Sequence, residues 1–493
     1  MKERVRFAPS PTGPLHIGGL RTALFNYLFT RGKKGSFILR IEDTDRNRFV
    51  EKSDDYIERA LSWAGIITDE SPSKGGEFGP YRQSERIDIY KEKINELITA
   101  GKAYYAFDSG ERLAELRALE EKKGKVFKYD RLVRGSLDNS LSMKKKDITD
   151  RILKDSYVVR LKIEDGETIS EDLLRGHIRV NNQVLDDKIL IKADGYPTYH
   201  FANVVDDHMM NITTVIRGEE WLPSLPLHNL IYDAFNWNKP SFIHLPLILK
   251  PNGKGKLSKR DGIEGGFPVF PLKWKEEKGF REMGFTSEGI VNYLALLGWS
   301  PGDDKEVFTF SDLENKFSVK GIQKGGAKFD FEKAKWVNHQ HLSKMSFFSF
   351  EKLFPDLFIE IKKKYPTKCE GIYMLVRERL KLAGDLKEET SFLLENPTQL
   401  DEKVLNKLMS KTDVEKLTAD IIRIVEITGV NELKENLIEL SDNRKIGIGI
   451  IMQLIRLSFI GKMSGPDIIK AANLMEKDVT LERLLNLKKI LTK

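Results

Sequence analysis

Val5-Arg6-Phe7-Ala8, followed by Pro9-Ser10-Pro11-Thr12-Gly13-Pro14-Leu15-His16-Ile17-Gly18-Gly19, is the stretch on which the reading of this 493-residue chain turns. The apolar run at its start predicts a strand. The prolines and Gly13 then force a turn, since proline fixes φ and glycine frees it. Leu20, Ala23, Leu24, Tyr27 and Leu28 recur at helical spacing behind the turn and predict an amphipathic helix ending near Gly32. Phe37 to Ile41 predicts a second strand that runs straight into Glu42-Asp43-Thr44-Asp45, and Ile57, Ala60, Leu61 and Ala64 predict a second helix. Strand, helix, strand, helix implies an α/β architecture with a parallel, doubly wound, Rossmann-like sheet. Ligands of such sheets gather where strands end and the chain turns toward a helix. Pro9–Gly19 and Glu42–Asp45 both fall at such ends.

Working outward, a helix from about Ser84, with Ile87, Tyr90, Ile94, Leu97 and Ile98 on one face and Gly101 behind it, closes a first half at 1–101. From 102 to 188 the segments are shorter and more polar, with strand-like Val158–Ile163 and Ile178–Val180, which predicts an inserted α+β unit. Strand-like Lys188–Lys192 and helical Pro197–Asp206 resume the earlier style and predict a second half at 189–250. A basic, glycine-flanked loop lies within 251–330. Beyond that, 331–493 shows helical periodicity and few strand signals, as in Val404–Leu408, Ile421–Ile427 and Ile448–Ile455. Several domains suit the length, because single cores stop growing near about 250 to 300 residues.

Composition narrows the class. With 40% hydrophobic and 31% charged residues and no low-complexity block, the chain reads as globular, not disordered. No apolar run reaches the ~20 residues of a membrane helix, and no apolar core follows the N-terminal charges as in a secretory signal. Cys369 is the single cysteine, which excludes intramolecular disulfides and multi-cysteine zinc sites. A reducing cytoplasm fits these features. The formal charge of +7 and pI of about 8.9 are compatible with a polyanionic partner. Lys144-Lys145-Lys146 and Lys362-Lys363-Lys364 read as solvated surface, so nucleic-acid binding needs more specific support.

That support starts with the first turn. Backbone N–H groups at a helix start favour phosphate, Gly18 and Gly19 leave room for a base or sugar, and His16 can donate to phosphate oxygens. A plain helix-entry turn with a satisfied histidine would look similar. A second feature, Lys256-Leu257-Ser258-Lys259-Arg260, is flanked by Gly253, Gly255 and Gly262. Its cations can neutralise charge that builds on a phosphate chain, although alone it would pass for a basic surface loop.

Together the two segments resemble the signature motifs of class I aminoacyl-tRNA synthetases, with Gly19 standing where that motif usually ends in histidine. The match is specific to glutamyl-tRNA synthetases in Arg6–Gly13, Arg40–Asp45, Gly195–His208, Val215–Trp221 and Leu296–Pro301. It is sharp to about residue 340 and weaker beyond. The resemblance implies a glutamate pocket of Arg6, Ser10, Glu42, Tyr199, Asn203 and Arg217. It implies ATP contacts at Gly18, Gly19, Glu220, Ser258 and Lys259, and catalytic roles for His16, Lys256 and Lys259. Two arginines suit the carboxylates of glutamate, with Arg217, helped by Arg6, on the side-chain carboxylate; Glu42 suits its ammonium.

The implied activity is ligation of glutamate to tRNA(Glu), with ATP and Mg²⁺ as the substrate complex, by a cytoplasmic monomer without membrane contact. The insert would hold the acceptor end and the helical part would read the anticodon. Relatives that hold zinc in the insert use cysteines, and none lies between 100 and 190, so structural zinc is not expected. Three rivals remain. A glutaminyl enzyme would carry a β-barrel C-terminal part, and a tRNA-modifying glutamyl-queuosine enzyme would lack that part. A non-enzymatic RNA- or nucleotide-binding protein would have no reason to keep an amino-acid pocket. Whether tRNA(Gln) is also charged stays open.

Overall fold

The computed structural model describes residues 2–492 and divides into two compact units. One runs up to Phe280 and includes Val291–Asp330; the other comprises Arg281–Ile290 and the chain from Phe331 onward.

The strands of the first unit include β1 (Arg4–Phe7), β2 (Ser36–Leu39), β3 (Ala103–Ala106), β4 (Val158–Leu161), β5 (Glu167–Asp172), β6 (Gly176–Asn181), β7 (Ile189–Ile191), β8 (Thr214–Gly218) and β9 (Ser241–Leu245). Its helices include α1 (Ile17–Arg31), α2 (Ser53–Trp63), α3 (Ile87–Thr99), α4 (Gly110–Lys122), α5 (Lys145–Lys154), α6 (Tyr199–Met209), α7 (Leu225–Ala234) and α8 (Lys259–Gly265). The central sheet is parallel throughout, in the order β2-β1-β8-β9. Its strands are nearly continuous apolar runs: Val5, Phe37, Ile38, Leu39, Val215, Ile216 and Ile243 are all buried. That is the pattern of a sheet covered by helices on both faces.

Helix α1 buries Leu20, Ala23, Leu24, Phe25 and Leu28 completely. At its start His16 Nδ1 accepts from Gly18 N–H at 3.1 Å and caps the first turn. Phe201, Ala202, Val204 and Val205 of α6 pack with Leu225, Ile231 and Tyr232 of α7 in a second core layer that also takes in Val215 and Phe242.

The stretch between the halves differs from its sequence reading in one respect. Ile189–Ile191 does not resume the parallel sheet; β7 pairs antiparallel with β4, which pairs antiparallel with β3. An Ile-Leu-Ile run satisfies either sheet, and long-range pairing decides between them. The β5–β6 hairpin leaves this small sheet altogether and lies against β9 and α7. Leu173 N–H donates to Phe242 O at 2.8 Å, and Asn229 Nδ2 donates to Ser170 Oγ at 2.7 Å.

From Phe331 the second unit is helical, and no strand occurs in it among the described residues. Leu417, Ile421 and Val425 of Val414–Thr428 share a core with Leu454, Ile455 and Leu457 of Ile448–Ile460 and with Ala471 and Ala472 of Ile468–Leu491. The last of these helices is interrupted at Glu476, where φ is 66°.

Candidate active site

A cavity of about 360 Å³ opens at the carboxyl ends of β1 and β8. Arg6, Ser10, His16, Gly18, Gly19, Glu42, Tyr199, Asn203, Arg217, Glu220 and Lys256 all reach its wall, though 250 positions separate the first from the last. Most of the residues singled out in the sequence therefore come together at one place.

The floor is ionic. Arg6 donates from Nε and Nη2 to the two oxygens of Asp207 at 2.9 and 3.2 Å. Arg40, fully buried, donates to Asp207 at 2.8 Å and to Glu42 at 3.0 Å. Arg86 donates to Asp206 at 2.7 Å, and Gln83 and Tyr90 complete that carboxylate's shell. Asn203 donates to Glu42 at 2.8 Å. Three guanidiniums thus face three carboxylates. Burial pushes the Glu42 carboxyl up, with Arg40 and Arg6 opposing. Burial acts on Asp207 in the same sense, but Arg6 and Arg40 outweigh it and hold that carboxyl below its ordinary value.

Arg217 breaks the balance. It is 5% exposed and forms no ion pair among the described residues. Its donors meet neutral acceptors: His244 Nε2 at 2.9 Å, the Tyr199 hydroxyl at 3.1 Å, His228 Nδ1 at 3.4 Å and Trp221 O at 3.4 Å. Burial and the nearby cation Arg217 push the His228 pKa well down, so that ring is neutral. The Tyr199 ring lies 4.3 Å from that of Trp221, tilted by 31°, and forms an aromatic wall beside the guanidinium. A buried cation without a counterion, lining a cavity, is a place for an anion.

On the other side of the cavity is α1. With its Nδ1 accepting from Gly18, His16 carries its proton on Nε2, a buried atom with no partner in the protein. Burial, helped by Lys256, lowers its pKa to about 4, so the ring is a neutral donor near pH 7. A Cβ at Gly19 would lie 2.6 Å from Leu15 Cδ1, so a side chain there requires the Leu15 side chain to turn aside. Lys256 Nζ pairs with Glu220 Oε1 at 2.7 Å.

Two predicted residues stand apart from this cavity. Ser258 is the N-cap of α8; its hydroxyl donates to Asp261 at 2.5 Å, a capping-box arrangement that occupies the group expected to meet nucleotide. Lys259 lines an adjoining cleft with Ser10, His16 and Phe270, and its ammonium is paired with Glu277. His16 borders both spaces and joins them.

The sequence reading missed several participants. Asp206 and Asp207 lay inside a quoted motif without a role. Arg21 lines the cavity, donates to Leu297 O at 2.9 Å and to Pro246 O, and is pushed down to about 10 by burial against the pull of Glu220 and Glu219. His244, a polar residue in an otherwise apolar strand, was a readable signal.

The chain matches two family models: class I tRNA synthetases (E and Q), catalytic domain, over residues 2–336, and an anticodon binding domain over 342–488. It is 46% identical to a glutamate–tRNA ligase of Christiangramia forsetii and 46% identical to one of Flavobacterium psychrophilum, each alignment covering 98% of both chains. A crystal structure of a glutamate tRNA ligase from Elizabethkingia meningosepticum, in complex with its amino acid, superposes with a TM-score of 0.94 at 43% identity, covering 99% of both chains. This chain belongs to the glutamate–tRNA ligase family. Membership of the glutamate–tRNA ligases accounts for the all-helical second unit, where a β-barrel would have marked a glutaminyl enzyme. No helix among the described residues is long and apolar enough to cross a membrane.

Proposed function

We propose that the cavity binds L-glutamate with its side-chain carboxylate on Arg217 and its ammonium at Glu42, and that ATP lies along α1 between His16 and the Lys256–Lys259 loop. The observation that carries this reading is the charge count of the pocket. Arg6, Arg40 and Arg86 balance Glu42, Asp206 and Asp207, Lys256 balances Glu220, and two buried arginines are left over: Arg21, whose donors are taken up by the Leu297 and Pro246 carbonyls, and Arg217, whose acceptors are neutral side chains and Trp221 O beside Tyr199. Glutamate, with two carboxylates and one ammonium, brings the carboxylate that Arg217 lacks. Glutamine does not, and leaving Arg217 unpaired discriminates against it by a factor on the order of 10⁴.

In the first step the α-carboxylate attacks the α-phosphorus of ATP, a new C(O)–O–P bond forms, and pyrophosphate leaves. In the second, the 2′-hydroxyl of the terminal adenosine of tRNA(Glu) attacks the mixed anhydride and AMP leaves. No side-chain nucleophile is needed. The chain positions reactants and stabilises charge, as in phosphoryl transfer generally. His16 donates from Nε2 to the phosphate chain. Lys256 and Lys259 release their glutamates and move onto it as pyrophosphate departs.

The donor set fits Mg²⁺ that arrives on the nucleotide. Glu219 is taken by Arg175 and by Leu247 N–H, Glu220 is taken by Lys256, and no group of three metal-binding side chains occurs among the described residues. When bound, the ion neutralises phosphate charge.

The stretch 102–188 then holds the acceptor end, 251–330 contacts the stem, and 331–493 reads the anticodon, in a monomeric cytoplasmic enzyme. Pyrophosphate exchange driven by glutamate, with and without tRNA, tests the reading. Glutamate should support exchange far better than glutamine at equal concentration. Equal exchange with both amino acids would overturn the pocket assignment.

A further inference from the structure

Arg217 is the end of a chain of hydrogen bonds that starts outside the pocket. Asp172, the last residue of β5, accepts with Oδ2 from His244 N–H at 2.9 Å and from His244 Nδ1 at 2.7 Å. Its Oδ1 accepts from the N–H groups of Leu174 and Arg175 at 2.9 and 2.7 Å. Both Asp172 and His244 are essentially without solvent exposure. Burial works to raise the Asp172 carboxyl, but these hydrogen bonds outweigh it and hold it below its ordinary value.

The chemistry of the three groups then admits one arrangement. A carboxylate only accepts and a guanidinium only donates. His244 lies between them, so it must carry its proton on Nδ1 and present a bare Nε2 to Arg217 Nε, 2.9 Å away. Burial also lowers the His244 pKa, which keeps the ring neutral. Without the carboxylate, nothing enforces this tautomer, and a proton on Nε2 would set donor against donor.

We propose that Asp172 and His244 are positioning residues for glutamate selection: they fix the tautomer that aims Arg217 at the side-chain carboxylate. The proposal rests on the assignment of Arg217 to that carboxylate. It also gives the β5–β6 hairpin, which lies in the stretch inserted between the two halves of the parallel sheet, a direct hold on the amino-acid pocket.

The test uses the full chain with tRNA and measures KM for glutamate and for ATP separately. Asp172→Asn should raise the glutamate KM about tenfold, the scale of one lost charged hydrogen bond, while the ATP KM stays within about twofold. In an Arg217→Lys background, which lacks the Nε donor, Asp172→Asn should change the glutamate KM by less than about twofold. An equal change in both backgrounds, or a parallel rise in the ATP KM, would overturn the proposal. If Arg217→Lys alone leaves the glutamate KM unaltered, the pocket assignment fails instead; an impaired Arg217→Lys beside a harmless Asp172→Asn sinks only the positioning role. Nitrogen NMR of the histidine-labelled wild-type chain needs no variant other than His244→Phe for assignment. It should show the His244 proton on Nδ1, and a proton on Nε2 would overturn the proposal even if Asp172→Asn does not fold.

Discussion

Arg217→Ala removes a buried cation whose hydrogen-bond partners are all neutral. No carboxylate of the protein loses a counterion, so the folding cost is confined to acceptors left without a donor, chiefly His244 Nε2 and the Tyr199 hydroxyl, at about 1–3 kcal/mol. The bound substrate is hit harder. A desolvated glutamate carboxylate would lose its fork-shaped partner, and truncating one member of a buried, hydrogen-bonded charge pair costs about 2–5 kcal/mol. At ~1.4 kcal/mol per decade, kcat/KM for glutamate should fall by roughly 30-fold to a few thousand-fold. Pyrophosphate exchange with tRNA present, titrated in turn with glutamate and with ATP, reads the effect. The ATP KM should hold, because the guanidinium faces His244, Tyr199 and Trp221 and not α1. An unchanged glutamate KM would refute the charge-count argument, and an equal rise in both constants would recast Arg217 as structural.

Lys259→Ala should slow adenylate formation by ~10²–10³ with little loss of stability, since its pair with Glu277 is half exposed and worth under ~1 kcal/mol; single-turnover adenylate formation near the wild-type rate would remove the loop from the mechanism. For pH, His16 has a folded pKa of about 4 against an ordinary 6.5, so the unfolded chain takes up the proton first. Its contribution to stability is complete above about pH 6.5 and is lost as pH falls through about 4, by about 3 kcal/mol. Urea unfolding between pH 4 and 7 should show a shallower slope for His16→Asn than for wild type; identical slopes would contradict the burial argument. Gly279→Ala would place a Cβ 2.6 Å from the backbone N and Cα of Leu272, whose carbonyl accepts from the buried Tyr56 hydroxyl at 2.6 Å. A loss of about 1–3 kcal/mol is expected, and an unaltered thermal midpoint would show that the backbone there yields freely.

The β1–α1–β2 opening was legible because its apolar runs are long and are punctuated by proline and glycine, signals that act over a few residues. The sheet to which β7 belongs was not, since Ile-Leu-Ile carries no mark of its partner. Arg6, Glu42 and Arg217, which line one cavity, were singled out because each sits in a motif whose spacing is local. Asp172 and His244 are 72 positions apart; His244 stands out in its strand, but its partner does not, and only the return of the β5–β6 hairpin onto β9 makes them neighbours. Ser258 stands outside the cavity lining for the opposite reason. A local signal was present, Ser258 followed three residues later by Asp261, and it announces a helix cap before it announces a phosphate ligand.

The parked lysines carry one more consequence. Lys256 on Glu220 and Lys259 on Glu277 are solvent-accessible ion pairs, the kind worth about 0–1 kcal/mol each. The loop therefore behaves like a small ion exchanger loaded with weakly held carboxylates. On the proposed ATP site, a triphosphate, offering several charges at once, would displace both carboxylates together, whereas a monophosphate would have too little charge to displace the second. Discrimination among adenine nucleotides at that proposed site would then fall to valence, and it should fade as added salt screens the exchange.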